Sequence, residues 1–302
     1  AGNVPYFPAG EGPFQGIPFV VKQLMADCAG TSTTLGSKFF AREPVALADS
    51  TAVARMRQAG LVIVGRSNTS EFGLAPTTEP AFGGATVNPW RADLSPGGSS
   101  GGSAAVVAAR ALPMAHATDG GGSIRIPASA CGVVGYKPPY GRNPDDPPFN
   151  LDFFCHTGPM ARTVRDTILL QNVMCGPSPL DIATLRPKLR LPLDYKPIKG
   201  WKIAYSPDLG IFEVDPEVRR NTEAALDVFR DLGAAGRAVG ALVVVVVGIG
   251  ALAADLVAHV VAGGEGHEGG EGQRERQEDG AADRSHAPPI VHVVGHKVDR
   301  LR

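Results

Sequence analysis

The chain has 302 residues, a formal net charge of −1 and 43% hydrophobic residues, enough apolar content for one large core or two small ones. A charge so near zero gives no sign of a surface built to hold a polyanion. The four cysteines, Cys28, Cys131, Cys155 and Cys175, form no CxxC pair, which argues against a disulfide framework and for small buried thiols in a reduced, cytoplasmic protein.

The first 16 residues are polar and rich in Gly and Pro, unlike a signal peptide. With no initiating Met, a trimmed or fragmentary chain is expected. Residues 16–22 (GIPFVVK) then read as a short buried strand ending in a lysine. Residues 26–34 are polar and turn-like. Asp49, Ser50 and Thr51 offer a cap for a helix over 51–59 that Gly60 stops. A strand over 61–64 and a helical turn from 67 to 72 follow. Strand, helix and strand in alternation predict an α/β layered fold.

Residues 101–112 have the small side chains of a helix packed closely on a sheet. A strand over 113–118, a short helix over 124–131 and a strand over 133–137 come next. Pro127 sits near the start of that helix, where proline is tolerated. Residues 138–148 are a proline-rich stretch expected at the surface. A helix over 163–174 stops at Gly176, and 201–205 is a strand. Asp215 and Pro216 open a strong helix that runs to Leu232 and ends at Gly233.

Beyond Gly233 the composition changes. From residue 231 to the end there is no Phe, Tyr, Trp, Met, Cys, Asn or Thr. Residues 238–254 are wholly apolar, at the short limit of the roughly 17–25 residues that span a bilayer. Asp255 and His259 interrupt that run, so a bilayer span is disfavoured. Residues 263–284 form a Gly/Glu/Arg tract that cannot build a packed core. His292 and His296 have the spacing of metal ligands on a helix, but nothing places further ligands around them. The expectation is a core over 1–233 and an irregular or disordered tail over 234–302 that is not a domain.

The chemistry concentrates in residues 93–125, where two glycine-serine clusters mark two tight turns: Gly97-Gly98-Ser99-Ser100-Gly101-Gly102 and Gly120-Gly121-Gly122-Ser123. Each sets a hydroxyl beside backbone N–H groups, a pairing suited to an oxygen nucleophile with an oxyanion hole. The amides of Gly120, Gly121, Gly122 and Ser123 are placed to converge on one oxygen. An attacking serine needs a base. His116 lies inside an apolar strand and His156 in a loop with no evident Asp partner, so both read as structural. Lysine remains, and it serves only where burial lowers its pKa. Lys22, taken alone, is an ordinary strand-end lysine.

The residues GGSSGGS (97–103), Thr118-Asp119, Gly121-Gly122-Ser123-Ile124-Arg125 and CGVVGYKP (131–138) together closely resemble the amidase signature family. The lysine strand over 16–22, RSNTSEFG (66–73) and Asn88-Pro89-Trp90 extend the likeness through about Gly233. The resemblance implies a mixed β-sheet core flanked by helices, incomplete here, and a Ser–Ser–Lys triad. Carried over, Ser123 is the nucleophile, Ser99 the bridging serine on a cis peptide, and Lys22 the base. Ser100, Asp119 and Arg125 would brace the loop. No cofactor or metal is implied. The expected reaction is hydrolysis of a small carboxamide to carboxylate and ammonia or amine through an acyl-enzyme. A small-molecule amide is the expected partner, no nucleic acid is bound directly, and a homodimer is left open.

This sequence departs from the family pattern at Gln23, where an acidic residue is usual, and at Gly120, where Thr or larger is usual. It is also short at both ends, and the Ala/Gly/Val/Arg/His bias of the tail is what a GC-rich gene read out of frame would give. A truncated, frameshifted amidase is therefore expected. Three rivals stand beside it. One is the A subunit of a glutamyl-tRNA(Gln) or aspartyl-tRNA(Asn) amidotransferase, against which residues 150–159 (NLDFFCHTGP) lack a serine-rich approach. A phosphate-binding module is disfavoured because no lysine follows either glycine cluster as a Walker motif requires. The third is an inactive remnant of the family.

Overall fold

A computed structural model describes residues 12–238, apart from 43 and 196. The first strand, β1 (Pro18–Lys22), pairs in parallel with β2 (Val62–Ser67), and their register shifts between Phe19 and Val20. Parallel neighbours need a crossover, and α1 (Thr51–Gln58) lies within it. The alternation read from the sequence is therefore present, with β2 running on to Ser67. No helical turn starts there, because the next carbonyl, of Asn68, accepts the amide of Gly102 from a distant segment. Only Glu71–Gly73 coils into a short 3-10 turn.

The expected local cap of α1 is also replaced from afar. Ser50 makes no side-chain cap bond. The amide of Thr51 donates instead to Asp146 Oδ2 at 2.6 Å, while Asp49 accepts from the Ala29 amide and pairs with Arg57. Gly60 does end the helix. Its φ is +95°, and a Cβ there would lie 2.7 Å from the Gln15 amide nitrogen, so both conformation and space select glycine.

The second sheet carries the glycine loop. Helix α2 (Gly101–Ala108) leads to β3 (Met114–Asp119). It stops short of the expected residue 112 because the chain turns at Arg110, whose φ is +60°. Arg162 Nη1 then takes the Leu112 carbonyl at 2.7 Å. Helix α3 (Arg125–Cys131) and the two-residue strand β4 (Val134–Gly135) follow. The expected strand over 133–137 is reduced to these two residues, with the Tyr136 amide adding one further bond to the Pro159 carbonyl at 3.1 Å. Strand β5 (His156–Ala161) lies between β3 and β4, antiparallel to both. His156 is thus in a strand and not in a loop.

Helix α4 (Val164–Met174) is capped by Thr163, whose side chain accepts from the Asp166 amide. Its apolar face, with Leu170 and Met174 fully buried, packs in one core with Phe19, Val21, Val53, Met56 and Leu61. A second core joins α2, β3 and α3 through Val107, Ala115, Ala117 and Ile124. Residues 138–148, expected at the surface, are partly internal. Asn143 and Asp145 are buried, and Asn143 bonds the Thr157 carbonyl and Gln171. Proline content marks irregular backbone there; it carries no information about whether polar side chains find partners inside.

The last described unit is β6 (Lys202–Tyr205), α5 (Pro216–Asp231) and β7 (Ala235–Ala238), the two strands parallel. Asp215 caps α5 by accepting from the Glu217 amide, and Pro216 opens it as the sequence predicts. Ile203, Leu226, Phe229 and Ala234 share a small core. The expected boundary at Gly233 falls inside this unit, since the chain continues into β7. From residue 239 onward the expected tail lies outside the described residues. Among the described residues no helix is long and apolar enough to cross a membrane.

Truncating Leu170 to Ala removes a fully buried side chain of the first core. It is expected to destabilise the protein by about 2–5 kcal/mol. Urea unfolding would show this as a lower midpoint with an unchanged slope.

Candidate active site

Lys22 ends β1 with its side chain completely buried. Its Nζ lies 2.7 Å from Ser99 Oγ, 2.8 Å from Thr118 Oγ1 and 3.5 Å from the Thr118 carbonyl. Burial pushes its pKa down from the usual lysine range to about 7, against the opposing pull of Cys155 and Asp119. A neutral amine has one lone pair and two N–H groups, and three partners surround it. When the two N–H groups serve the two Thr118 oxygens, the lone pair is left facing the Ser99 hydroxyl. Burial and geometry together thus offer a basic lone pair to Ser99.

Ser99 follows a cis peptide bond to Gly98, the feature the resemblance implied. A Cβ on Gly98 would lie 2.4 Å from the Thr77 carbonyl oxygen, so only glycine fits. Thr78 gathers the turn: its hydroxyl bonds the Gly97 carbonyl at 2.8 Å and accepts the Gly101 amide at 3.1 Å. Ser100 is also buried. Its hydroxyl bonds the Thr118 main chain, and its amide donates to the Ser123 carbonyl at 3.2 Å. It therefore ties the first glycine cluster to the second.

The second cluster is organised by Asp119. This buried carboxylate accepts from the amides of Gly122, Ile124 and Arg125 and from Arg125 Nε and Nη2 at 2.8 and 2.9 Å. Burial alone would raise its pKa, but the hydrogen bonds and charge of Arg125, with Lys137 at 3.8 Å, outweigh this and hold it at about 2. One expectation needs correction here. The Gly122 amide donates to Asp119 Oδ1 at 2.7 Å, so four loop amides do not converge on one oxygen. The amides of Gly120, Gly121 and Ser123 have no partner among the described residues. Gly121 is exposed, and Gly120 and Ser123 are half-buried.

The structure brings Lys22 and Ser99 into direct contact. It does not close the second half of the expected relay, because the Ser123 hydroxyl has no hydrogen-bond partner among the described residues. Thr118 is the functional neighbour that sequence reading misses, since it figures there only as part of a motif. Nothing in a threonine at a strand end signals that it will face a lysine from another sheet. Lys137 is missed likewise; it donates to the Phe154 carbonyl at 2.5 Å beside Asp119. The view that His156 lacks an acidic partner is overturned: its Nδ1 is 3.5 Å from Asp145 Oδ2, a carboxylate supplied by the partly internal proline-rich stretch. All four cysteines are free thiols. Among the described residues no group of three or more His, Cys, Asp and Glu side chains could hold a metal ion.

Comparison with known proteins decides the kinship. The Amidase family model matches residues 7–240. The chain belongs to the amidase family. Its likeness to the A subunit of the glutamyl-tRNA(Gln) amidotransferase of Desulforapulum autotrophicum is 42% identity over 74% of this chain and 47% of that protein. An acylamidase of Rhodococcus erythropolis is 40% identical over 75% of this chain and 48% of its own length. The solved structure of 6-aminohexanoate cyclic dimer hydrolase superposes with a TM-score of 0.71 at 38% identity, covering 76% of this chain and 50% of that one. The amidase chain thus spans about half the length of the relatives it matches. The match also runs a little past Gly233, the limit of the likeness read from the sequence.

Two predictions test this electrostatic frame. Replacing Asp119 by Ala leaves Arg125 buried without its carboxylate, and is expected to cost about 3–5 kcal/mol of stability in urea unfolding. Replacing Lys22 by Met should stabilise the protein in a pH-dependent way. Between the unfolded lysine value of 10.5 and the folded value of about 7, the unfolded chain binds a proton that the folded chain does not. The native protein therefore loses stability as pH falls through that window and levels off below it. The advantage of Lys22→Met should widen from high pH down to about 7 and then stay constant; an advantage that ignores pH would contradict the buried neutral amine.

Proposed function

We propose that this chain carries the catalytic centre of an amidohydrolase that cleaves the C–N bond of a small linear carboxamide through a serine acyl-enzyme. The observation that carries the reading is the 2.7 Å contact of the buried Lys22 amine with Ser99. In this reading Lys22 takes the Ser99 proton, Ser99 takes the Ser123 proton, and Ser123 Oγ bonds to the substrate carbonyl carbon. The negative charge that develops on the carbonyl oxygen is met by the unpartnered amides of Gly120, Gly121 and Ser123. Each such donor contributes on the order of 3 kcal/mol to lowering the barrier. The C–N bond then breaks, the leaving nitrogen takes the proton back through Ser99, and water attacks the acyl carbon to release the carboxylate.

The open Ser123 hydroxyl is compatible with this sequence, since catalytic hydrogen bonds in free enzymes commonly tighten only when substrate is bound. Asp119 and Arg125 hold the loop and take no part in proton transfer. Arg125 is paired with Asp119, whose carboxyl lies too far down to accept a proton near neutrality. The four free thiols support the cytoplasmic placement expected from the sequence.

A second reading is favoured by the likeness to A subunits of glutamyl-tRNA(Gln) amidotransferases. There the same acyl-enzyme would release ammonia toward an acceptor on a partner protein. Stable copurification with such a partner, and amide turnover that depends on it, would select this second reading over the first.

The direct test is labelling of the protein with a fluorophosphonate probe across pH. Labelling is expected to depend on Ser123, to fall about 10²–10⁴-fold in Lys22→Ala, and to rise with pH through about 7 as Lys22 loses its proton. Labelling indifferent to Ser123→Ala and to Lys22→Ala would remove the mechanism.

A further inference from the structure

We infer that His116 is a positioning residue for Lys22, its Nδ1 accepting the Lys22 main-chain amide and so fixing the strand end from which the amine projects. The inference rests on the amidohydrolase reading for its catalytic consequence and on geometry alone for the contact. The Lys22 amide nitrogen is 3.2 Å from His116 Nδ1. Among the described residues β1 pairs only with β2, while β3, which carries His116, belongs to the sheet it forms with β5 and β4. The imidazole therefore supplies across the gap the acceptor that a neighbouring strand would have supplied. The carbonyl of Lys22 is held in a similar way, by Arg66 Nη2 at 3.0 Å. Both polar groups of the Lys22 main chain thus engage side chains.

The tautomer follows from the donors. A backbone amide can only donate, so Nδ1 carries no proton and Nε2 does. Nε2 faces the Thr157 hydroxyl. Thr157 is itself held, its amide by Asp145 Oδ1 at 3.1 Å and its carbonyl by Asn143 at 2.9 Å. The His116 carbonyl accepts from Ser103 Oγ at 2.7 Å, and that hydroxyl meets Ser67 Oγ at 2.7 Å. His116 is wholly buried. Burial, together with the charges of Lys22 and Arg66, pushes its pKa down to about 3, so the imidazole is neutral and keeps its acceptor throughout the working pH range. A proton on Nδ1 would set two donors against each other and release the strand end.

Side-chain shape supplies the test. Asparagine places an amide oxygen near the Nδ1 position, glutamine places its amide farther out toward Nε2, and leucine offers no acceptor. Fluorophosphonate labelling of His116→Asn should stay within about threefold of the native rate with the same pH midpoint. In His116→Gln and His116→Leu it should fall about tenfold to a hundredfold, the scale set by misplacing a catalytic group, with the midpoint moved up as the amine escapes full burial. Exchange of the Lys22 amide, followed by NMR, should remain slow in the native protein and His116→Asn and quicken in the other two. Native labelling rate, midpoint and amide protection in His116→Leu would overturn the inference, and so would equal losses in His116→Asn and His116→Gln. Where leucine prevents folding, the Asn and Gln pair decides. Native labelling that ignores Ser123→Ala would defeat the amidohydrolase reading, while the Lys22 amide exchange would still decide whether His116 holds the strand end.

Discussion

The rest of the site depends on a lysine amine kept out of water. A charged ammonium in an apolar interior is costly, and the group responds by giving up its proton near neutral pH instead of remaining an unpaired ion. That single consequence leaves an ordinary strand-end residue with a lone pair near neutrality, which the proposed mechanism uses as a base. It requires the two sheets to meet: β1 delivers the lysine, and β3 and the cis-peptide turn deliver Thr118 and Ser99. A site assembled from two sheets is rigid because moving any one partner disturbs the cores behind it.

A second charge arrangement serves the opposite purpose. Asp119 is as deeply buried as Lys22, yet it keeps its charge, because Arg125 and three backbone amides surround it. The carboxylate thereby shapes the glycine loop: it draws the Gly122 amide inward and leaves its neighbours free. The amides of Gly120, Gly121 and Ser123, without partners among the described residues, are the donors that the proposed mechanism assigns to the carbonyl oxygen. One buried charge is removed by deprotonation at the end of β1, and the other is retained by pairing at the end of β3.

Much of this was legible in residue order. Gly60, the Asp215–Pro216 opening of α5 and the helix over 163–174 announced themselves, because caps and stops are local chemistry. The glycine-serine clusters and the lysine strand marked the family and the candidate site residues. What misled was also local. Ser50 has the chemistry of a cap, but the Thr51 amide found Asp146. Residues 138–148 have the composition of surface, but Asn143 and Asp145 had partners waiting inside. His156 has no acid near it along the chain because Asp145 approaches it only across the fold.

Sequence by itself determined which residues could do chemistry: hydroxyls beside glycine, a lysine after an apolar run, an Asp and an Arg six positions apart around the loop. It also determined the alternation of helix and strand, since hydrophobic period and capping act over a few residues. Only the tertiary structure decided that Lys22 is fully buried, that Thr118 and Ser99 face its amine, that Gly122 turns its amide to Asp119, and that a histidine of another sheet holds the lysine's backbone. Desolvation and hydrogen-bond partnership depend on what surrounds an atom in space, and contacts between residues nearly a hundred positions apart leave no periodic trace along the chain.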